Sequence, residues 1–205
     1  IQIRDYSNYS GNSVDDKPFS GGAGMVLRPD VISDAIEKTT STEELTNSVK
    51  ICFSAKGKSL NQFLIENLKK KENFILLSGR YEGIDQRVVN HYNFEEISIG
   101  DYILNGGESA CIVFMEAIIR LQNNVLNNPE THSNESFKNE LLEHDQFTRP
   151  SEWTAPDGSN YKVPNELLNG NHSDIEKWKK ANSEQNTSKN RQDLWKNYLK
   201  SKKNE

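Results

Sequence analysis

Apolar positions recur with two different periods along the first 121 residues and become sparse after them. Residues 49–54 (Val-Lys-Ile-Cys-Phe-Ser) form a short apolar run ended by Ala55-Lys56-Gly57, and residues 74–77 (Phe-Ile-Leu-Leu) form a second; both read as strands. Between them Phe63, Leu64 and Leu68 fall at helical spacing, and Lys69, Lys70 and Lys71 follow where cations favour a helix C-terminus. Strand, helix and strand in quick succession predict a βαβ unit with a right-handed crossover. A third strand-like run covers 94–99. Upstream, Pro29 opens a helix that carries Val31, Ile32, Ala35 and Ile36 on one face. Residues 109–121 are apolar on most faces, so the helix they predict is buried between layers or in a subunit interface.

Each predicted strand ends in a polar, glycine-containing loop: 54–57, 78–85 and 98–108. Ligands of open α/β sheets bind beyond the carboxyl ends of the strands, so the three loops are expected to converge on one pocket. The longest reads Ser98-Ile99-Gly100-Asp101-Tyr102-Ile103-Leu104-Asn105-Gly106-Gly107-Glu108. Its glycines allow positive φ and a close approach of the main chain to a ligand. Tyr102, Ile103 and Leu104 offer apolar surface to a flat ring, and bare amides can meet the ring's edge, which suits an adenine better than a phosphate. The loop has neither G-x-G-x-x-G spacing nor the Lys-Ser/Thr ending of a phosphate-binding loop. A strand-to-helix turn that holds no ligand is the plain alternative.

The rest of the chain is polar. Residues 6–24 are glycine-punctuated and predict a loop without regular structure; adjacent Asp15 and Asp16 would point opposite ways in an extended chain and make a poor carboxylate pair. Residues 1–3 look like a strand in progress, and with Ile rather than Met at position 1 the chain is expected to be a fragment lacking its N-terminus. Residues 122–134, rich in Asn, Pro, Thr and Ser, read as a linker. Beyond it, Ser173 is expected to cap a helix through Ile175 and Trp178, and a last helix covers roughly 192–202. Trp178, Leu194, Trp195 and Tyr198 are the candidate core of this small, mostly helical second domain.

Composition sharpens the picture in three ways. Hydrophobic residues make up 34% of the 205 and charged ones 27%, with no apolar run near the ~18 residues that span a bilayer, so a soluble protein is expected. Cys52 and Cys111 lie in apolar runs without a pairing pattern and read as core residues of a reducing compartment, the cytoplasm. The net charge of -5 is unevenly spread: residues 177–205 carry nine Lys or Arg against three acids. A basic tail on an acidic body suggests contact with a polyanion from one end, though a solvated surface helix would give the same count. His91, His132, His144 and His172 show no metal-ligand spacing with the cysteines, and no nucleophile–His arrangement is legible.

Five motifs, in order and at similar spacing over essentially the whole chain, resemble the bacterial tRNA (guanine-N1)-methyltransferases, the TrmD family of the SPOUT class. They are Val14-Asp15-Asp16-Lys-Pro-Phe-Ser-Gly-Gly-Ala-Gly-Met25, Gly79-Arg80-Tyr81-Glu82-Gly83-Ile84-Asp85, the 98–108 loop, Phe147-Thr-Arg-Pro150 and Leu168-Asn-Gly-Asn-His172. The resemblance implies an α/β sheet threaded into a deep trefoil knot over residues 1–121, a linker over 122–136 and a small helical tRNA-binding domain over 137–205. It implies S-adenosylmethionine as methyl donor, a requirement for magnesium, and a homodimer with no membrane association. The substrate implied is the guanine immediately 3′ of the anticodon. Another RNA substrate on the same scaffold, or a catalytically weakened RNA-binding relative, are the alternatives.

Carried over by position, the resemblance puts the methyl donor against Gly79, Glu82, Ile99, Gly100, Asp101, Tyr102, Ile103, Leu104, Gly106 and Gly107. Asp15, Asp16, Gly21, Gly22, Arg149 and His172 fall to the substrate, and Arg120 to stabilising charge on guanine O6. The family's general base is an aspartate after the long helix; alignment through Arg120 and Ser136-Phe137 puts Glu135 there. Further departures are Ser54-Ala55-Lys56-Gly57 for the usual Ser-Pro-Gln-Gly and Ser109-Ala110 for Leu-Pro. Both lie at the implied rim of the donor site.

Overall fold

The computed structural model describes residues 1–19, 21–122, 125 and 135–203. The chain divides into two compact units, Ile1–Leu126 and Asn127–Glu205. The linker expected over 122–136 lies almost wholly outside the described residues, as does His132.

The first unit is built on a parallel sheet of three strands in the order β4-β3-β5, with β3 at Val49–Ser59, β4 at Phe74–Ser78 and β5 at Glu95–Ser98. A central parallel strand is covered on both faces and so reads as a continuous apolar run. Ile51, Cys52 and Phe53 are all buried, at 0%, 3% and 7% exposure. Because successive side chains alternate, Cys52 faces one layer and Ile51 with Phe53 the other. On the Cys52 side pack α1 (Pro29–Thr39) and α4 (Gln86–His91), through Val31, Ile32, Ile36, Val88 and Val89. On the other side pack α3 (Gln62–Leu68) and α5 (Glu108–Arg120), through Ile65, Leu68, Ala110, Phe114 and Ile118. The Phe114 ring lies 5.8 Å from Phe53 and 5.5 Å from Phe74.

The βαβ unit and the Pro29 helix form as expected, with differences that have local causes. The central strand does not end at Ser54 but runs to Ser59, because Phe53 and Lys58 both pair with Ile97 and the four residues between them arch out as a bulge. Gly57 is needed there: a Cβ on it would sit 2.4 Å from the main chain of Glu96 and Ile97. Residues 1–3 are no strand. Ile3–Tyr6 is a 3-10 helix, its Ile3 packed against the α1 layer and its Arg4 donating to Asn12 O at 3.2 Å. The polar segment 6–24 is also more ordered than expected. Ser10–Asn12 is a 3-10 turn, and Asp15–Asp16 (β1) pairs antiparallel with Val26–Leu27 (β2). A short helix α2 (Thr42–Asn47) follows a capping box in which the Ser41 side chain accepts from the Glu44 amide.

The helix α5 is buried on one face only. Ala110, Phe114 and Ile118 point into the core, whereas Ile112, Val113, Met115 and Ile119 are between 42% and 62% exposed. Cys111, expected in the core, is half-buried.

The second unit joins a β-hairpin, β6 (Glu152–Thr154) and β7 (Asn160–Lys162), to α6 (Asn165–Leu168), α7 (His172–Asn190) and α8 (Gln192–Lys202). The hairpin departs from the mostly helical expectation; Trp153 and Tyr161, directly opposite, stack at 5.6 Å. Asn171 rather than Ser173 caps α7, its side chain accepting from the Ser173 amide. Tyr198 is buried, while Trp178, Leu194 and Trp195 are only half-buried. No helix among the described residues is long and apolar enough to cross a membrane.

Among the described residues, Phe114 is the largest fully buried side chain. Phe114→Ala should therefore lower the unfolding free energy by about 3–5 kcal/mol in a denaturant titration; a loss under about 1 kcal/mol would contradict the packing described for α5.

Candidate functional site

The bulge within β3 and the loops that follow β4 and β5 meet at one cavity of about 480 Å³, within the size range of small-molecule sites. The bulge after Phe53 supplies Ser54, Ala55 and Lys56, the β4 loop supplies residues 79–84, and the β5 loop supplies most of 98–107. Of the ten residues assigned to the methyl donor, Gly79, Glu82, Ile99, Gly100, Tyr102, Ile103, Leu104, Gly106 and Gly107 line this cavity. Asp101 does not; it is exposed at the tip of the turn.

Main-chain contacts hold the walls together. Gly107 N donates to Gly79 O at 2.8 Å, and Arg80 and Gly106 form an antiparallel bridge. A Cβ on Gly107 would lie 3.0 Å from Gly79 N and 3.1 Å from Ser78 Cα, so a side chain here would push the two loops apart by a few tenths of an ångström. At the other wall Gly100 has φ +154 and a Cβ there would meet the Tyr102 ring at 2.4 Å. Tyr102 folds back over it, its hydroxyl donating to Ile99 O at 3.1 Å and its amide to Gly100 O at 3.0 Å. Ile103 remains 84% exposed, an apolar side chain at the cavity mouth.

Several polar groups at the cavity were not foreseen. Arg80 and Glu108 flank the glycine contact and pair at 2.7 Å. The Arg80 hydrogen bond holds the Glu108 carboxyl below its ordinary range and raises Arg80. Lys56 donates to Gln86 and lies 3.5 Å from the Glu96 carboxylate, so the bulge is tied to α4 and β5. The signal for the first pair was its place in the motifs, immediately after Gly79 and Gly107. The second has no sequence signature, since its three residues meet only in the folded sheet.

The segment carrying Asp15, Asp16, Gly21 and Gly22 lies along the β4 loop. Leu27 N donates to Gly83 O at 2.9 Å, Glu82 N donates to Met25 O at 2.9 Å, and Gly24 leaves room for the Glu82 side chain. Gly21 and Gly22 are left-handed, at φ 72 and 99. Asp16 pairs with Arg28 at 2.7 Å, and Arg28 stacks 3.6 Å over the Tyr9 ring. Arg120 is the half-buried last residue of α5. Glu135, Arg149 and His172 belong to the second unit: Glu135 is half-buried, and Arg149 and the first residue of α7, His172, are exposed.

The profile of the family described as tRNA (Guanine-1)-methyltransferase TrmD matches residues 1–197. The chain belongs to this family. Its relatives include the tRNA (guanine-N(1)-)-methyltransferase of Brucella ovis, 40% identical over 203 residues that take in 99% of this chain and 80% of that protein. The enzyme of the same name from Brucella suis is also 40% identical, over 99% of this chain and 79% of its own length. The cavity is lined by the main chain of Gly79, Gly83, Gly100, Gly106 and Gly107, by apolar side chains such as Ile99, Ile103 and Leu104, and by the polar side chains of Lys56, Arg80, Glu82 and Glu96.

Cys52 lines the floor of this cavity, and burial, helped by the nearby Glu96 carboxylate, pushes its thiol up to about 12. Since the thiolate is the nucleophile, iodoacetamide at pH 8 should leave Cys52 unmodified in the native protein and label it after denaturation, read by peptide mass spectrometry. Rapid native labelling would show that the floor opens.

Proposed function

We propose that this chain methylates N1 of guanine in tRNA, at the position immediately 3′ of the anticodon, with S-adenosylmethionine as donor. The observation that carries the reading is the convergence of the β3 bulge and the loops after β4 and β5 on one cavity of about 480 Å³ in a chain of this family. When bound, the sulfonium supplies an electrophilic methyl group.

The chain's own residues supply the rest. Amides of the 98–107 loop and of Gly79 meet the adenine edge, while Tyr102, Ile103 and Leu104 cover the ring. N1 of guanine carries a proton and attacks only when that proton leaves, so Glu135 within hydrogen-bond reach acts as general base. Arg120 offsets the negative charge that develops on O6. The 14–25 segment, with Asp15, Asp16, Gly21 and Gly22, is assigned to the target base, and Arg149, His172 and the basic stretch 177–203 to the RNA around it. Ile112, Met115 and Ile119, three and four residues apart on α5, form an apolar stripe suited to a second copy of the chain. Residues 75–121 are assigned to the trefoil knot and the protein to the cytoplasm, where its tRNA substrate is. Among the described residues no three His, Cys, Asp or Glu side chains gather to hold the magnesium that the resemblance implies.

Radiolabel transfer to tRNA transcripts tests this. Transcripts with two adjacent guanines at the anticodon edge should be methylated and those with the 5′ guanine replaced should not. Glu135→Gln should lower the rate about 10²–10⁴-fold while Glu135→Asp retains it. An unchanged rate in Glu135→Gln would remove Glu135 from the base role, and methylation of ribosomal RNA alone would move the chain to a different substrate.

A further inference from the structure

Residues 136–147 have almost no regular structure, yet they are fastened to α7 along its length. The Leu142 amide donates to Thr187 Oγ1 at 2.8 Å, and the Asp145 amide donates to Asn182 Oδ1 at 2.7 Å. Asn182 and Asn186 donate back to the Asp145 carboxylate at 3.0 and 2.9 Å. Thr187 is fully buried, and its hydroxyl both donates to Ser183 O at 2.7 Å and accepts from the Leu142 amide. Replacing it without a polar substitute leaves a buried amide unpaired.

The root of this strap is a hook. Ser136 Oγ accepts from the Glu143 amide at 2.9 Å, and Phe137 N donates to Leu141 O at 2.7 Å. Inside it Phe137, Asn139 and Glu140 have φ 77, 52 and 59, three of the six left-handed residues other than glycine among those described. Side chains seldom tolerate that region, and it persists where the surroundings over-determine the backbone. Glu135 is the residue just before the hook.

We propose that Thr187, Asn182 and Asn186 are positioning residues for Glu135: by clamping the strap to α7 they hold the hook in its strained form and so fix where the carboxylate stands. The inference rests on the reading of Glu135 as general base. A base displaced by about 1 Å can lose about 10²-fold in rate, so a clamp remote from the reacting atoms matters to kcat.

The test is a set of steady-state methylation rates on the full chain, with single-turnover rates to isolate the chemical step. Thr187→Val keeps the branched shape and removes the hydroxyl; kcat should fall about tenfold with the KM for S-adenosylmethionine unchanged, and Thr187→Ser should restore it. Combined with Glu135→Gln, Thr187→Val should cost nothing further, because the clamp acts through a carboxylate already removed. Hydrogen exchange over 136–147 should accelerate in Thr187→Val. If Thr187→Val destabilises the unit, the half-buried Asn182→Ala and Asn186→Ala carry the same comparison. A full loss in Glu135→Gln with unchanged kcat in the clamp variants overturns the clamp and leaves the base; multiplicative losses in the double variant also overturn the clamp. An unchanged rate in Glu135→Gln overturns the base reading itself, and the clamp with it.

Discussion

Everything in the first unit depends on β3 being paired along both edges and covered on both faces. Its register is fixed because Cys52 belongs to one layer and Ile51 and Phe53 to the other, and a slip of one residue would exchange them. With β4 and β5 both parallel to it, the carboxyl ends of all three strands fall on the same side. The loops after β4 and β5 therefore meet on that side, where the bulge within β3 joins them. The cavity is thus a consequence of strand direction before it is a matter of any particular side chain.

Glycine contacts then set its shape. Gly57 lets the bulge ride on β5, and Gly107 lets the start of α5 touch the end of β4. The Arg80–Glu108 pair beside that contact is more than half exposed at both ends, so it orients the two loops more than it stabilises the fold. Ala110, one turn into α5, lines the cavity and belongs to the Phe114 cluster, so core and site share a helix.

The sequence was legible where side chains record the structure. The apolar runs of β3 and β4 and the spacing of α1 are visible because burial selected those residues. The continuation of β3 through Ala55-Lys56-Gly57 is not, since it rests on main-chain pairing with Ile97 that leaves no apolar trace. Ile1–Ile3 misleads for the opposite reason: an apolar alternation was taken up by tertiary contacts of a 3-10 turn. Two further elements do carry local signals in the sequence, the Ser41–Glu44 capping box of α2 and the Pro156-Asp157-Gly158-Ser159 turn of the β6–β7 hairpin. At the site, the loops after β4 and β5 followed from the strand pattern, the third segment is a bulge inside β3 rather than a loop at its end, and the roles proposed for Glu135 and Arg120 rest on family resemblance alone.

A cavity walled by glycine main chain has a further consequence for drug resistance. A compound seated against Gly79, Gly106 and Gly107 would touch peptide groups that no point mutation can delete. Adding a side chain at Gly107 would press on the main chain of Ser78 and Gly79, so the mutation that evicts the compound would also deform the pocket. Escape would have to come from the side-chain part of the wall, residues such as Lys56, Tyr102, Ile103 and Leu104, so the less a compound leans on side chains the less room it leaves.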